Sequence, residues 1–138
     1  MTAKEHLEQY KHKTLQIEAL QSKIREIRAL AEKCTSVLSL TPGGNAHNDS
    51  RLEELVVKIN TMEEQLGILW EERGGIFIDT VNLISEIPDE RCRQILEKHY
   101  LELKPFSSIE DELYISSAHI YRLHTKGLAY VERLLAEK

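Results

Sequence analysis

Cysteine is scarce in this chain, with two in 138 residues, Cys34 and Cys92. They stand far apart inside helical patterns with no CxxC spacing. They read as reduced, small apolar residues of an intracellular protein. Proline (three) and glycine (six) are few and clustered, so roughly two-thirds of the chain is free to form uninterrupted helix. No apolar run approaches 18 residues, which excludes a membrane span. The opening MTAKEHLEQYKHK carries charge without an apolar core and is not a signal peptide. The expectation is a soluble, cytoplasmic protein. Basic residues are outnumbered, 18 against 23 acidic, for a net charge of -5. That excludes a wholly basic nucleic-acid coat, so any DNA contact must come from a local patch.

Catalytic patterns are missing too. GxxxxGK[ST], a nucleophile elbow and HExxH are all absent. His6 and His12 are six apart and His119 and His124 five apart, so neither pair has the i,i+4 spacing of helical metal ligands. These histidines read as solvated or phosphate-facing. Paired carboxylates such as Glu53-Glu54 and Glu63-Glu64 fall on the polar face of a helical pattern. The chain is therefore read as a non-enzyme without metal or cofactor.

What is present is helical periodicity. Tyr10, Ile17, Ile24, Ala31 and Leu38 recur every seven residues, with Leu20, Ile27 and Cys34 at the intervening positions. This is a heptad seam sustained for about four repeats. It breaks at Thr41–Ser50, where proline and paired glycines stop a helix and Asn48, Asp49 or Ser50 can cap the next. A second seam runs through Leu52, Leu55, Ile59, Met62, Leu66 and Leu69 to Ile76 and Leu83. Two such segments predict a long antiparallel, coiled-coil-like hairpin over residues 1–86, with arms on the order of 50 Å. Trp70, Phe77 and Ile78 widen the apolar surface of the second arm beyond one stripe. That excess predicts a homodimer or higher oligomer built on Ile17, Leu20, Ile24, Ile27, Ile59, Met62, Leu66, Leu69 and Trp70. Gly74-Gly75 implies either a kink or an unusually close neighbouring helix.

Residues 87–138 read as a trihelical module, completing an all-α fold. Ile87-Pro88-Asp89 starts a helix whose inner face is Ile95, Leu96, Tyr100 and Leu101. Lys104-Pro105 ends it. Ser107 or Ser108 caps a short helix, with Glu110 or Asp111 reaching back, and Ser116 caps the last helix. The stretch PFSSIEDELYISSAHIYRLHTKGL, Pro105 to Leu128, thus has the layout of a helix-turn-helix, whose second helix enters the DNA major groove. From Ser116 to Val131 there is no acidic residue, while His119, Arg122, His124 and Lys126 all lie there. With Ile120 and Leu123 inward, Ser117, Ala118, Tyr121 and Arg122 project outward, where side chains reach base edges. His119 and Lys126 are placed for phosphates, and the helix N-terminus at Ser116 favours an anion.

The segment IPDERCRQILEKHYLELKPFSSIEDELYISSAHIYRLHTKGLAYVERLL resembles region four of bacterial sigma factors. The matching positions are Arg91, Ile95, Tyr100, Leu101, Ile109, Leu113, Ser116, Ile120, Leu123 and Leu128. Carried over, the family's base-reading positions fall on Ser117, Ala118, Tyr121 and Arg122, and its backbone contacts on Ser116, His119 and Lys126. Gly127 stands where the family has a small alanine. The opening Met1 to Leu7 and the YRLH at Tyr121 to His124 are similar to phage and prophage regulators of the ArpU type. This resemblance implies a small phage-encoded transcriptional regulator acting on double-stranded DNA, with host RNA polymerase as a further partner. Two alternatives use the same module: a small-terminase-like DNA-recognition subunit, and a protein-interaction module docking on the polymerase.

Overall fold

The computed structural model describes the backbone of residues 1–40 and 46–138, and side chains over 1–36 and 50–138. The fold is all-α: α1 (Ala3–Leu40), α2 (Ala46–Ser85), α3 (Glu90–Leu96), a π-helical turn (Glu97–Leu101), α4 (Phe106–Leu113) and α5 (Ser117–Glu137). Of the expected break at Thr41–Ser50, residues 41–45 fall outside what is described, as does the side chain of Leu38 in the first seam, while residues 46–50 are helical. Helix α2 already runs from Ala46, so the backbone of Asn48, Asp49 and Ser50 lies inside it, and the side chains of Asn48 and Asp49 fall outside what is described. No helix among the described residues is long and apolar enough to cross a membrane.

The chain divides into two compact units, one of residues 15–71 and one of residues 1–14 with 72–138. In the first, Ile17 and Ile24 of α1 close on Met62 and Leu66 of α2, with Leu20, Ile27 and Leu69 packed against them. Residues 21–28 share a cleft with 63–70 and residues 28–36 share one with Leu52 and Val56, so the two helices run antiparallel here. Arg28 pairs with Glu63 across them. The heptad spacing explains this seam, since seven residues bring a side chain back to the same helix face. These apolar residues thus pack within one chain. Of the nine positions assigned to oligomerisation, Trp70 is the one left exposed, joined on α2 by Val56, Val57 and Ile68.

The second unit has the larger core. It draws Ala3 and Leu7 from α1, Leu83 and Ile84 from α2, and Ile87, Ile95, Leu96, Tyr100, Ile109, Ile120 and Val131 from the segment beyond α2. Residues on both sides of position 87 therefore share one core. Helix α1 opens with a reciprocal cap: the Glu5 N–H donates to Thr2 Oγ1 at 3.2 Å and the Thr2 N–H to Glu5 Oε2 at 3.4 Å. Tyr10 packs its ring 5.5 Å from that of Phe77, with the Arg73 guanidinium 5.8 Å from the Tyr10 centroid. Gly74 and Gly75 sit in this part of α2, which stays helical through them. A Cβ at either would meet nothing within 4 Å, so no neighbouring helix among the described residues requires them.

Candidate nucleic-acid interface

Helix α3 begins at Asp89, whose Oδ1 accepts from the Arg91 N–H at 3.0 Å and the Cys92 N–H at 3.3 Å. The inner face then carries Cys92, Ile95 and Leu96, and the π-helical turn brings Tyr100 into the same core. Helix α4 starts earlier than the serines suggested. Pro105, with φ -68° and ψ 157°, is its N-cap, and no side chain caps it. The Pro105 carbonyl accepts from Ser108 and Ile109 at 3.1 and 3.3 Å, so Ser107 and Ser108 already lie within the helix. The ring fixes the φ that starts the turn, which a serine would have to acquire at an entropic cost.

Tyr114 ends α4 in the left-handed conformation, φ 55° and ψ 45°, with its N–H donating to the Glu110 carbonyl. Ile115 is half-buried, and Ser116 returns to extended backbone and caps α5, its Oγ accepting from the His119 N–H at 3.3 Å. On α5, Ile120, Leu123, His124, Gly127 and Val131 face inward. Ser117, Ala118, Tyr121 and Arg122 face solvent, and the Tyr121 ring is 71% exposed. The helix thus sorts its residues by the i, i+3, i+4 rule, because burying the aliphatic stripe leaves the opposite face bare.

Polar partners qualify this face. The Ser117 hydroxyl donates to Glu110 of α4. Lys126 Nζ lies 2.9 Å from Asp89 Oδ2, and the pair holds the lysine above and the carboxyl below their ordinary pKa, each chiefly through the hydrogen bond to the other. Arg122 Nη2 comes within 3.5 Å of His119 Nδ1, and His119 is half-buried. Among the described residues no carboxylate pairs with Arg122. The face therefore keeps one unneutralised cation, Arg122, and one tethered cation, Lys126.

His124 departs from expectation. It is neither solvated nor phosphate-facing but buried, sharing a 2.7 Å hydrogen bond between its Nε2 and the Tyr100 hydroxyl. Burial is the main cause pushing its pKa down to about 4, and the charges of His99 and Lys4 act the same way. Burial likewise raises Tyr100 to about 12. Phe106 is sandwiched into this cluster, its ring stacked on His99 at 4.1 Å and edge-on to His124 at 5.1 Å. His124 lies four residues after Ile120, hence on the inward stripe, and Tyr100 supplies the polar partner that a buried imidazole needs. Its neutral form ties α5 to the turn after α3.

Gly127 is also structural. A Cβ there would come within 3.0 Å of Leu96 Cδ1 and 3.2 Å of its Cγ, so α5 and α3 approach closely at this point. The Cys92 thiol is buried beneath the α3 cap and pushed up to about 11, first by burial and then by the Asp89 charge, so it stays protonated and unreactive at neutral pH. Among the described residues no cluster of three or more His, Cys, Asp or Glu could hold a metal ion. Comparisons with protein-family models, curated proteins and solved structures find no match.

Proposed function

We propose that this protein is a sequence-specific DNA-binding transcriptional regulator of phage or prophage origin, working in the cytoplasm of a bacterial host and reading the major groove with α5. One observation carries the reading. Ser117, Ala118, Tyr121 and Arg122 are all exposed on the first two turns of a helix whose opposite face is fully committed to the core. Over Ser116 to Val131 the sequence offers no carboxylate to repel a phosphate. Arg122 is suited to the bidentate contact with guanine, and Ser117 and Ala118 to smaller edges such as a thymine methyl. Ser116 and His119 sit at the start of α5, where backbone N–H groups attract phosphate. The likeness of residues 87–138 to sigma region four supports the same assignment.

Two copies reading two half-sites fit this role. The α1–α2 seam is closed within the chain, so an interface between copies would use the exposed apolar residues of the 15–71 unit, with Trp70 among them. Selection from a random duplex pool by the purified chain tests the proposal. Recovery of a defined, palindromic site is expected. Failure to retain any duplex at low salt, where phosphate attraction is strongest, would refute it.

A second reading is favoured by the Lys126–Asp89 and Ser117–Glu110 contacts, which withdraw two donors from the face. In that case the module docks on host RNA polymerase as a protein ligand. Binding to purified polymerase without retention of duplex would select it.

A further inference from the structure

Tyr114 is held in a conformation that its side chain opposes. Its φ of 55° is in the left-handed region, where a Cβ crowds the following carbonyl and glycine or asparagine is the usual occupant. A glycine would close α4 there without strain. The other left-handed residue among those described is Leu103, and its half-buried side chain lines a cleft with Tyr100 and Pro105. Tyr114 has no such compensation. It is 94% exposed, and among the described residues its side chain has no hydrogen-bond or ring partner. Nothing among the described residues uses the phenol, which leaves it available for a contact outside the chain.

The position indicates what it would meet. Tyr114 stands two residues before Ser116, the cap of α5, at the end of the helix that would enter the groove. With α5 in the groove and α4 crossing the backbone, as in a helix-turn-helix, a side chain on the turn between them would lie beside the phosphate wall of the groove. Three carboxylates precede it, Glu110, exposed Asp111 and Glu112, and no ion pair is seen for the first two among the described residues, so a group meeting phosphate here has to be a neutral donor. Glu112 lies between Lys98 and Lys104, at 2.9 and 2.6 Å, and Glu110 accepts the Ser117 hydroxyl. A phenol is neutral, donates one O–H, and belongs to the side chains that bond phosphate oxygens without reading sequence.

We infer that Tyr114 contacts the sugar–phosphate backbone of duplex DNA beside the bases that α5 reads. This rests on the regulator reading above and adds to it a contact residue outside the helix. The full-length chain and its Tyr114→Gly and Tyr114→Phe variants are compared by thermal melting and by titration of fluorescent duplexes of several sequences. Tyr114→Gly is expected to melt at the same or a higher temperature, yet to bind every duplex about three- to ten-fold more weakly, the size of one hydrogen-bonded contact. The slope of affinity against salt stays unchanged, because no charge is removed. Tyr114→Phe keeps the ring and is expected to lose most of the same affinity.

Wild-type binding to duplex together with unaltered binding by Tyr114→Gly would overturn this inference alone. A changed site preference in place of uniform weakening would also overturn it, pointing to a base contact. Absence of duplex binding by the wild type overturns both this inference and the regulator reading.

Discussion

Asp89 has two roles: one carboxylate oxygen caps α3 through the Arg91 and Cys92 N–H groups, and the other holds Lys126 of α5 at 2.9 Å. A residue that starts one helix therefore tethers a cation of another, 37 positions away. The pair is exposed, so its value lies in orientation and local charge more than in stability.

Asp89→Asn separates these roles. Asparagine caps a helix about as well as aspartate, so the melting temperature should change little. Lys126 is released to a phosphate, and duplex affinity should rise, with the salt slope steepening by about one ion. Titrations at several salt concentrations check this. An affinity and slope identical to wild type would show that Lys126 does not face the duplex.

Arg122→Ala should weaken binding to the preferred site by roughly 1–3 kcal/mol and relax discrimination at one base pair. Its expected signature is loss of specificity with nonspecific affinity only slightly reduced, the opposite of the Tyr114 variants. Competition with single-base-pair variants of the selected site measures it. Equal losses on all sequences would reassign Arg122 to a phosphate.

Acid should loosen the C-terminal core through His124. Its pKa in the folded protein is about 4, below the ordinary value of 6.5. The unfolded chain therefore takes up a proton first as pH falls. The stability that depends on neutral His124 is fully present above about pH 6.5 and is lost progressively between there and pH 4. The loss is on the order of 3 kcal/mol. Denaturant melts from pH 7 to 4 should show the decline, and His124→Gln should flatten it. A wild-type decline retained in full by that variant would place the responsible group elsewhere.

Alanine at the glycines should act with opposite signs. Gly67→Ala and Gly74→Ala meet open space and gain helix propensity, about 1 kcal/mol each. Gly127→Ala gains the same propensity but drives a methyl against Leu96, which is fully buried, so the side chain has to shift within a packed core. Overpacking outweighs the gain, for a net loss of about 1 kcal/mol. Chemical denaturation of the three variants decides this. A stabilised Gly127→Ala would mean that α3 and α5 separate easily.

The helices themselves were legible because each rests on short-range rules. Seven-residue spacing placed Ile17, Ile24, Met62 and Leu66 on a shared seam, and Ser116 announced α5 by its own hydroxyl. The outward set Ser117, Ala118, Tyr121 and Arg122 came from putting Ile120 and Leu123 inside. Thr2 and Glu5 form a capping box, a signal as local as the Ser116 cap and spelled by the sequence in four letters. Ser107 and Ser108 misled because both cap well in general, and nothing local says that Pro105 supplies the first carbonyl instead.

The sequence by itself therefore determined the all-α class, the inward and outward faces of α5 and the apolar stripe along each of α1 and α2, since each depends on residues within a turn or two of one another. Only the tertiary structure decided that His124 is buried against Tyr100, that Lys126 is tied to Asp89 and Ser117 to Glu110, and that Gly127 makes room for Leu96. All but one of these partners are more than 20 residues apart, and Ser117 and Glu110 lie on different helices. Their meeting is set by how helices pack, and periodicity fixes which face a residue occupies without fixing what lies opposite it.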